Sequence, residues 1–306
     1  MILATEKRRS LLRFSSELRA LSFDRSEVHM LRHPAVAGHF YQGTAEALRK
    51  QVQGFVIPGA KRVKALGILA PHAGLLYSGA VAGAVYSNIE LPDTFILIGP
   101  NHTGLGASVS LMSSGRWETP LGTVDIDEQL ASAILKKSAH IQEDTLAHLR
   151  EHSLEVQLPF IQYFKHAFKI IPLQMLDTAL TTCLEVGQAI AAAIKERGMR
   201  SADDEHERHQ VLIVASSDMS HYERATTAKE KDSKAIHQIL NLDPTGLYRT
   251  VRDNGITMCG YGPAVAMLAA CNALGASRAE LVKYANSGDV SGDYEQVVGY
   301  AGIIIR

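Results

Sequence analysis

The sequence predicts an α/β protein with a central mixed sheet flanked by helices on both faces. Two observations carry that expectation. Short, almost uniformly apolar runs alternate along the chain with longer stretches of helical periodicity. Several of the apolar runs leave no wet face for a half-exposed sheet, so helices should cover both sides.

Taken in chain order, residues 1 to about 30 form a charge-rich amphipathic stretch marked by Leu11, Leu12, Phe14, Leu18 and Leu21, and Met30 precedes what reads as a natural start. This stretch reads as an N-terminal extension, either a helical arm or, preferably, a misassigned upstream start without a role in the fold. Strands are expected at Val63 to Leu69, Phe95 to Ile98, Phe168 to Leu173, Val211 to Ala215, Leu281 to Ala285 and Val297 to Ile305. Helices are expected over residues 78 to 88, 127 to 137, 153 to 165, 179 to 196, 229 to 240 and 262 to 274. Arg200 to Gln210 reads as a polar surface loop, and no repeat or linker divides residues 31 to 306, which read as a single domain.

The chain has 306 residues, 46% hydrophobic and 21% charged, enough to bury a substantial core unaided. A formal net charge of -1 supplies no excess positive charge for nucleic acid or an anionic membrane, so neither is an expected partner. Cys183, Cys259 and Cys271 are an odd set without framework spacing, which fits a reducing cytoplasm better than a secreted disulfide scaffold. No apolar run reaches the roughly 20 residues that span a bilayer. Lys7, Arg8 and Arg9 are followed by Ser10 and Leu11 to Phe14, too short a stretch for a signal peptide core.

The most informative feature is where the polar chemistry lies. Three expected strands run directly into ligand-type side chains: Pro71-His72-Ala73-Gly74, Gly99-Pro100-Asn101-His102, and Ser216-Ser217-Asp218-Met219-Ser220-His221. In open α/β sheets the carboxyl ends of strands share a crevice, so groups distant in sequence can converge there. A single histidine after a strand more often caps a turn, but the recurrence favours one shared site. Cys259 precedes an apolar helical stretch from Ala264 to Ala270, where a helix N-terminus favours thiolate, the form that binds metal. The plainer alternative, a small buried hydrophobe, suits Cys183 and Cys271.

Two imidazoles and a thiolate would leave a coordination position open, and Fe(II), copper and Zn(II) are all chemically admissible. Glu151 to Pro159 is a further polar concentration. Glu151 can fix an imidazole tautomer and His152 can line a pocket, or Glu151 and Ser153 can simply organise a helix start. Glu155 reads as support rather than ligand. Asp218 can supply an oxygen ligand and His221 a general base, against an ordinary helix cap. The acids of Ser287 to Asp293 read as turn formers. The absence of a Walker loop, GxGxxG, GxSxG, HExxH or paired CxxC disfavours P-loop hydrolysis, dinucleotide redox chemistry, serine hydrolysis and zincin proteolysis.

An ordered series of motifs then resembles the Memo family, whose prokaryotic members are called AmmeMemoRadiSam system protein B. The series is Pro34-Ala-Val-Ala-Gly-His-Phe-Tyr41, Ala70-Pro-His-Ala-Gly74, Gly99-Pro-Asn-His102, Glu151-His-Ser-Leu-Glu155 with Leu158-Pro159, Ser216 to His221, Cys259-Gly260 and Val298-Gly-Tyr-Ala301. The resemblance spans about residues 31 to 306. It implies a fold similar to the class III extradiol (LigB-like) dioxygenases, which are non-haem Fe(II) enzymes. It places metal ligands at His72, His102 and Cys259, Asp218 beside them, and a catalytic base at His221. His152 joins His221 and Asp218 as a catalytic candidate, with Tyr41, Tyr77, Asn101 and Glu155 as substrate contacts.

Fe(II) is the first expected cofactor, with copper or zinc as alternatives. A cysteine in place of a carboxylate ligand argues against ring cleavage and toward copper or redox chemistry. An AMMECR1-type protein and a radical SAM protein are the partners the resemblance implies. Two functions follow: a metal-dependent, dioxygenase-like oxidoreductase of undefined substrate, or a non-catalytic protein that uses the same pocket for a peptide, a small molecule or metal handling.

Overall fold

The computed structural model describes residues 30 to 200 and 211 to 306. The expected extension over residues 1 to 30, apart from Met30, and the expected polar loop ending at Gln210 lie outside the described residues.

The chain enters through β1 (Leu31–Arg32) and α1 (Ala45–Gln53), then β2 (Gly67–Ala70), α2 (Leu75–Ser87) and β3 (Thr94–Pro100). A run of short strands follows: β4 (Val109–Leu111), β5 (Arg116–Thr119) and β6 (Gly122–Ile126), then α3 (Glu128–Leu135) and β7 (Gln142–Glu143). Two single 3-10 turns, Leu146–His148 and Glu155–Gln157, flank the 149 to 154 loop before α4 (Leu158–Phe164). The chain continues through β8 (Lys169–Met175), α5 (Leu180–Arg200), β9 (Val211–Ser216) and β10 (His221–Glu223). It ends with α6 (Ala225–Leu240), α7 (Pro244–Asp253), α8 (Tyr261–Ala273), β11 (Ala279–Asn286), the four-residue α9 (Gly288–Ser291) and β12 (Val297–Ile305).

The strands form one mixed sheet in the order β1-β5-β6-β8-β3-β9-β2-β12-β10, with β11 on β12. Its centre, β6-β8-β3-β9-β2, is parallel, and β12 runs antiparallel to β2. β2, β3 and β9 are buried throughout, as their unbroken apolar sequences require.

Both faces are covered. A methyl group on Gly67 of β2 would meet Met267 and Cys271 of α8, whereas one on Gly302 of β12 would meet Val81 and Val85 of α2. Gly67 pairs with Ile305, three residues from Gly302, so strand alternation puts α8 and α2 on opposite faces. The expected α/β sandwich is therefore the observed one.

Three elements differ from expectation. The strand expected at Val63 to Leu69 begins only at Gly67, because Val63 makes an isolated bridge with Ile89. The strand at Leu281 to Ala285 lies at the edge and is half-buried to exposed, not buried. The helix expected from 153 is broken into a 3-10 turn and α4, with Pro159 in the first turn of α4, where its missing N–H costs nothing.

Candidate metal centre

The parallel neighbours β3, β9 and β2 release their carboxyl ends at one edge of the sheet, and the loops that follow carry His102, Asp218 and His72. Two glycines permit the close approach this edge needs. A side chain on Gly99 would strike Leu154 Cδ2 at 2.6 Å and Ser153 Oγ at 2.7 Å, so its bareness brings the 151 to 154 loop against the end of β3. A side chain on Gly260 would meet the Ser216 carbonyl at 2.3 Å, which admits the start of α8 beside β9.

There, His72, His102 and His152 each offer a ligand nitrogen, all within 4.8 Å of one another. His102 and His152 stack with ring centroids 4.8 Å apart, and His72 meets both edge-on at 5.3 and 5.5 Å. His72 is buried, His152 half-buried and His102 open to solvent.

The hydrogen bonds fix which nitrogen is free. The Glu151 carboxylate can only accept, and His102 Nδ1 lies 3.0 Å from its Oε1, so Nδ1 carries a proton and Nε2 is the nitrogen left without this partner. His152 Nδ1 lies 3.2 Å from the same oxygen. For His72 the chain is longer. The Ser216 hydroxyl donates its one proton to the Ser153 carbonyl at 2.6 Å, so it must accept from Gln157 Nε2 at 2.8 Å and from His72 Nδ1 at 2.9 Å. All three imidazoles thus direct Nδ1 at a protein acceptor, which leaves Nε2 as the nitrogen available to a metal.

Electrostatics agree. Burial lowers the His72 pKa to about 4, with Asp218 opposing and the charges of His152 and His102 adding to the depression, so this ring is neutral at pH 7. Burial by itself would raise the Glu151 carboxyl, but hydrogen bonds and charge from His102 and His152 outweigh it and hold it well below the usual range. Glu151 also accepts from the backbone N–H groups of His102, His152 and Ser153, at 2.5, 2.8 and 2.9 Å. One buried carboxylate therefore organises two of the three imidazoles and the loop that carries one of them.

Cys259 adjoins the cluster, with Sγ 3.3 Å from His72 Nε2 and 3.3 Å from the Asp218 N–H. The expectation that the α8 N-terminus favours its thiolate is corrected. Burial pushes the Cys259 thiol up and the Asp218 carboxylate adds to it, outweighing the N–H groups of Asp218 and Gly260. Asp218 Oδ1 accepts from the His72 and Ala73 N–H groups, at 2.8 and 3.3 Å, so this oxygen holds the His72 loop in place.

His221 is fastened to the loop that leads into Cys259. Its N–H donates to Thr257 Oγ1 at 2.7 Å, and its Nδ1 donates to the Thr257 carbonyl at 2.9 Å, leaving Nε2 free to accept a proton.

The expected substrate contacts fare differently. Tyr41 and Glu155 are both buried and satisfied within the protein, because the Tyr41 hydroxyl donates to Glu155 at 2.5 Å and Arg32 pairs with the same carboxylate. Asn101 shapes its own loop: Oδ1 accepts from the N–H groups of Thr103 and Gly104, and Nδ2 donates to the Leu105 carbonyl. Tyr77 alone of the four is exposed, on the first turn of α2.

Two sets of residues take a larger part in the site than their local sequence signals. His152 stands in the imidazole cluster itself, signalled only by its place beside Glu151. Ser216 and Gln157 fix the His72 tautomer, and nothing in their local sequence announces it.

Residues 32–304 match the family described as Memo-like protein. The chain is 46% identical over 281 residues to a MEMO1 family protein of Methanosarcina mazei, covering 90% of this chain and 99% of that one. It is 43% identical over 286 residues to the MEMO1 family protein MTH_45 of Methanothermobacter thermautotrophicus, covering 89% and 99% respectively. Among solved structures, the uncharacterized protein JW3007 from Escherichia coli K12 aligns with a TM-score of 0.48 at 14% identity, covering 78% of this chain and 98% of that one.

Proposed function

From the premise that this chain belongs to the Memo family, we propose that it is a metal-dependent redox protein whose ion is held by the imidazoles of His72, His102 and His152, with Cys259 beside them. One observation carries the reading: three imidazoles each bring a ring nitrogen within 4.8 Å of the others, two of the rings organised by one buried carboxylate and the third by Ser216. Three nitrogen donors with one soft sulfur nearby admit Fe(II), copper and zinc alike, and the resemblance to non-haem Fe(II) enzymes puts Fe(II) first. Bound there, Fe(II) or copper supplies one-electron chemistry.

The rest is done by the protein's own residues. Ser216 and Glu151 engage Nδ1 of His72 and His102, so Nε2 of each ring is the nitrogen left for the ion. Asp218 fixes the His72 backbone. His221, with Nδ1 committed to Thr257, takes a proton at Nε2 from a hydroxyl brought within hydrogen-bond reach. Tyr77, exposed on α2, remains the substrate contact of this reading, and the substrate is undefined.

The motif series favours action alongside an AMMECR1-type protein and a radical SAM protein, in a cytoplasmic setting that suits three unpaired cysteines. Among the described residues no helix is long and apolar enough to cross a membrane.

Anaerobic reconstitution with Fe(II) and elemental analysis tests the reading. Near-stoichiometric metal is expected in the wild type and in His221→Ala, with loss in His72→Ala, His102→Ala and His152→Ala. His221→Ala should lose turnover while keeping its ion. Metal retained after removal of all three imidazoles, or absent from the wild type, overturns the proposal and favours a binding protein.

A further inference from the structure

The segment from Arg32 to Tyr41 carries one of the distinctive motifs of the sequence, yet none of its side chains belongs to the imidazole cluster. Its contacts show what it does. The buried Glu155 carboxylate takes four donors from this one stretch: the Arg32 guanidinium, the N–H groups of Ala35 and Val36 at 2.7 and 3.1 Å, and the Tyr41 hydroxyl at 2.5 Å.

Arg32 reaches further. Its remaining nitrogens donate to the carbonyls of His148 at 3.0 Å and Glu151 at 2.6 Å, and its guanidinium lies over the Trp117 ring at 4.3 Å. A single planar fork thus grips the 148 to 155 stretch at three points, and the residues it brackets include Glu151 and His152. At the other end of the segment, the Phe40 carbonyl accepts the Leu75 N–H at 2.7 Å, at the start of α2 just after His72. Between these anchors the Phe40 ring rests on the His152 ring, with centroids 4.7 Å apart at an interplanar angle of 60°. His152 is therefore in ring contact with both Phe40 and His102.

We infer that Arg32 and Phe40 are positioning residues for the metal centre: Arg32 sets the loop bearing Glu151 and His152, and Phe40 sets the His152 ring against His102. The inference rests on the metal reading of the three imidazoles only for its consequence in affinity. The placement of His152 can be read in the metal-free protein.

The test uses the full chain with Arg32→Lys, Phe40→Ala and the conservative Phe40→Tyr. Lysine keeps the charge opposite Glu155 but cannot span two carbonyls as well. In metal-free protein, imidazole nitrogen–proton correlation NMR should show one His152 tautomer in the wild type and in Phe40→Tyr, and mixed tautomers in Arg32→Lys and Phe40→Ala, with His72 unchanged.

Cobalt(II) titration should show affinity about 10-fold to 100-fold weaker in Arg32→Lys and Phe40→Ala, with an altered visible spectrum, and recovery to within about 3-fold in Phe40→Tyr. A wild-type His152 tautomer in both disruptive variants overturns the inference, as does wild-type cobalt affinity in both of them when the wild type itself binds the ion. If the wild type takes up no cobalt, the metal reading fails and the NMR comparison alone decides the positioning. If Arg32→Lys does not fold, the Phe40 pair decides it.

Discussion

Replacing Glu151 by glutamine keeps the side chain's shape and removes its charge from the middle of the imidazole cluster. In the wild type, Oε1 accepts from His102 Nδ1, the His152 N–H and the Ser153 N–H, at 3.0, 2.8 and 2.9 Å, while Oε2 accepts the His102 N–H at 2.5 Å. An amide has one acceptor oxygen. If it occupies the Oε1 position, the three contacts there lose their charge assistance and the amide NH2 is left facing the His102 N–H, donor to donor. A buried hydrogen bond to a charged group contributes roughly 1.5–3 kcal/mol, and an unsatisfied buried donor costs about 1–3 kcal/mol, so Glu151→Gln should destabilise the fold by about 2–4 kcal/mol.

The imidazoles lose orientation as well. Loss of a carboxylate behind a metal-binding histidine weakens the metal about 10-fold to 100-fold, and here one carboxylate serves two rings. Urea unfolding at pH 7.5 measures the first effect, and cobalt(II) or zinc competition titration the second. Stability within about 0.5 kcal/mol of wild type together with unchanged metal affinity would refute the claim that Glu151 organises the site, since that stability change is what an ordinary surface substitution produces.

Other expectations follow from the same geometry. His72 and His148 are depressed by burial to about 4 and about 3, so below the ordinary value of 6.5 the unfolded chain binds protons that the folded chain does not. Their contribution to stability is complete above pH 6.5 and is lost as pH falls toward those folded values, with a slope approaching about 1.4 kcal/mol per pH unit for each ring. His148 is buried with neither ring nitrogen hydrogen-bonded, so His148→Leu should reduce the loss seen in urea titrations between pH 6.5 and 5. An unchanged slope would remove His148 from that account. The raised thiols of Cys183, Cys259 and Cys271 predict that the folded, metal-free protein reacts with a disulfide reagent at pH 8 far more slowly than free cysteine does. A fast-labelling Cys259, located by mass spectrometry, would contradict the burial argument. Gly99→Ala places a methyl group 2.6 to 2.7 Å from Leu154 and Ser153, and overpacking of this kind costs about 1–3 kcal/mol. Metal affinity should fall with it, because the displaced loop carries Glu151 and His152; a thermal midpoint equal to wild type would show that the loop yields freely.

How far the sequence speaks differs between the sheet and the site. The buried parallel strands β3, β8 and β9 are legible because a strand covered on both faces is apolar over most of its length, a pattern that depends on the strand's own residues. The shared edge was legible for a similar reason: β2, β3 and β9 each run straight into polar residues, and parallel strands deliver those residues to one side. The short strands β4 to β7 and β10 were not, since two to five residues carry too little periodicity to stand out.

Within the site, local sequence marks His72, His102, Asp218 and Cys259, and Glu151 as a carboxylate able to fix an imidazole, but not the partners of His72. The proton on His72 is set by Ser216, Gln157 and the Ser153 carbonyl, which lie 144, 85 and 81 residues away along the chain and meet only when β9 docks beside β2 and the 151 to 157 stretch packs across them. The helix terminus beside Cys259 suggests a lowered thiol, whereas burial and the Asp218 carboxylate raise it. Glu155 and Tyr41 look in sequence like groups waiting for a substrate, and Arg32, 123 residues from Glu155, makes them internal instead. Periodicity and strand-end position are properties of neighbouring residues and can be read along the chain. Protonation, burial and hydrogen-bond pairing at a converging edge are set by groups brought together from distant segments, and the tertiary structure alone decides them.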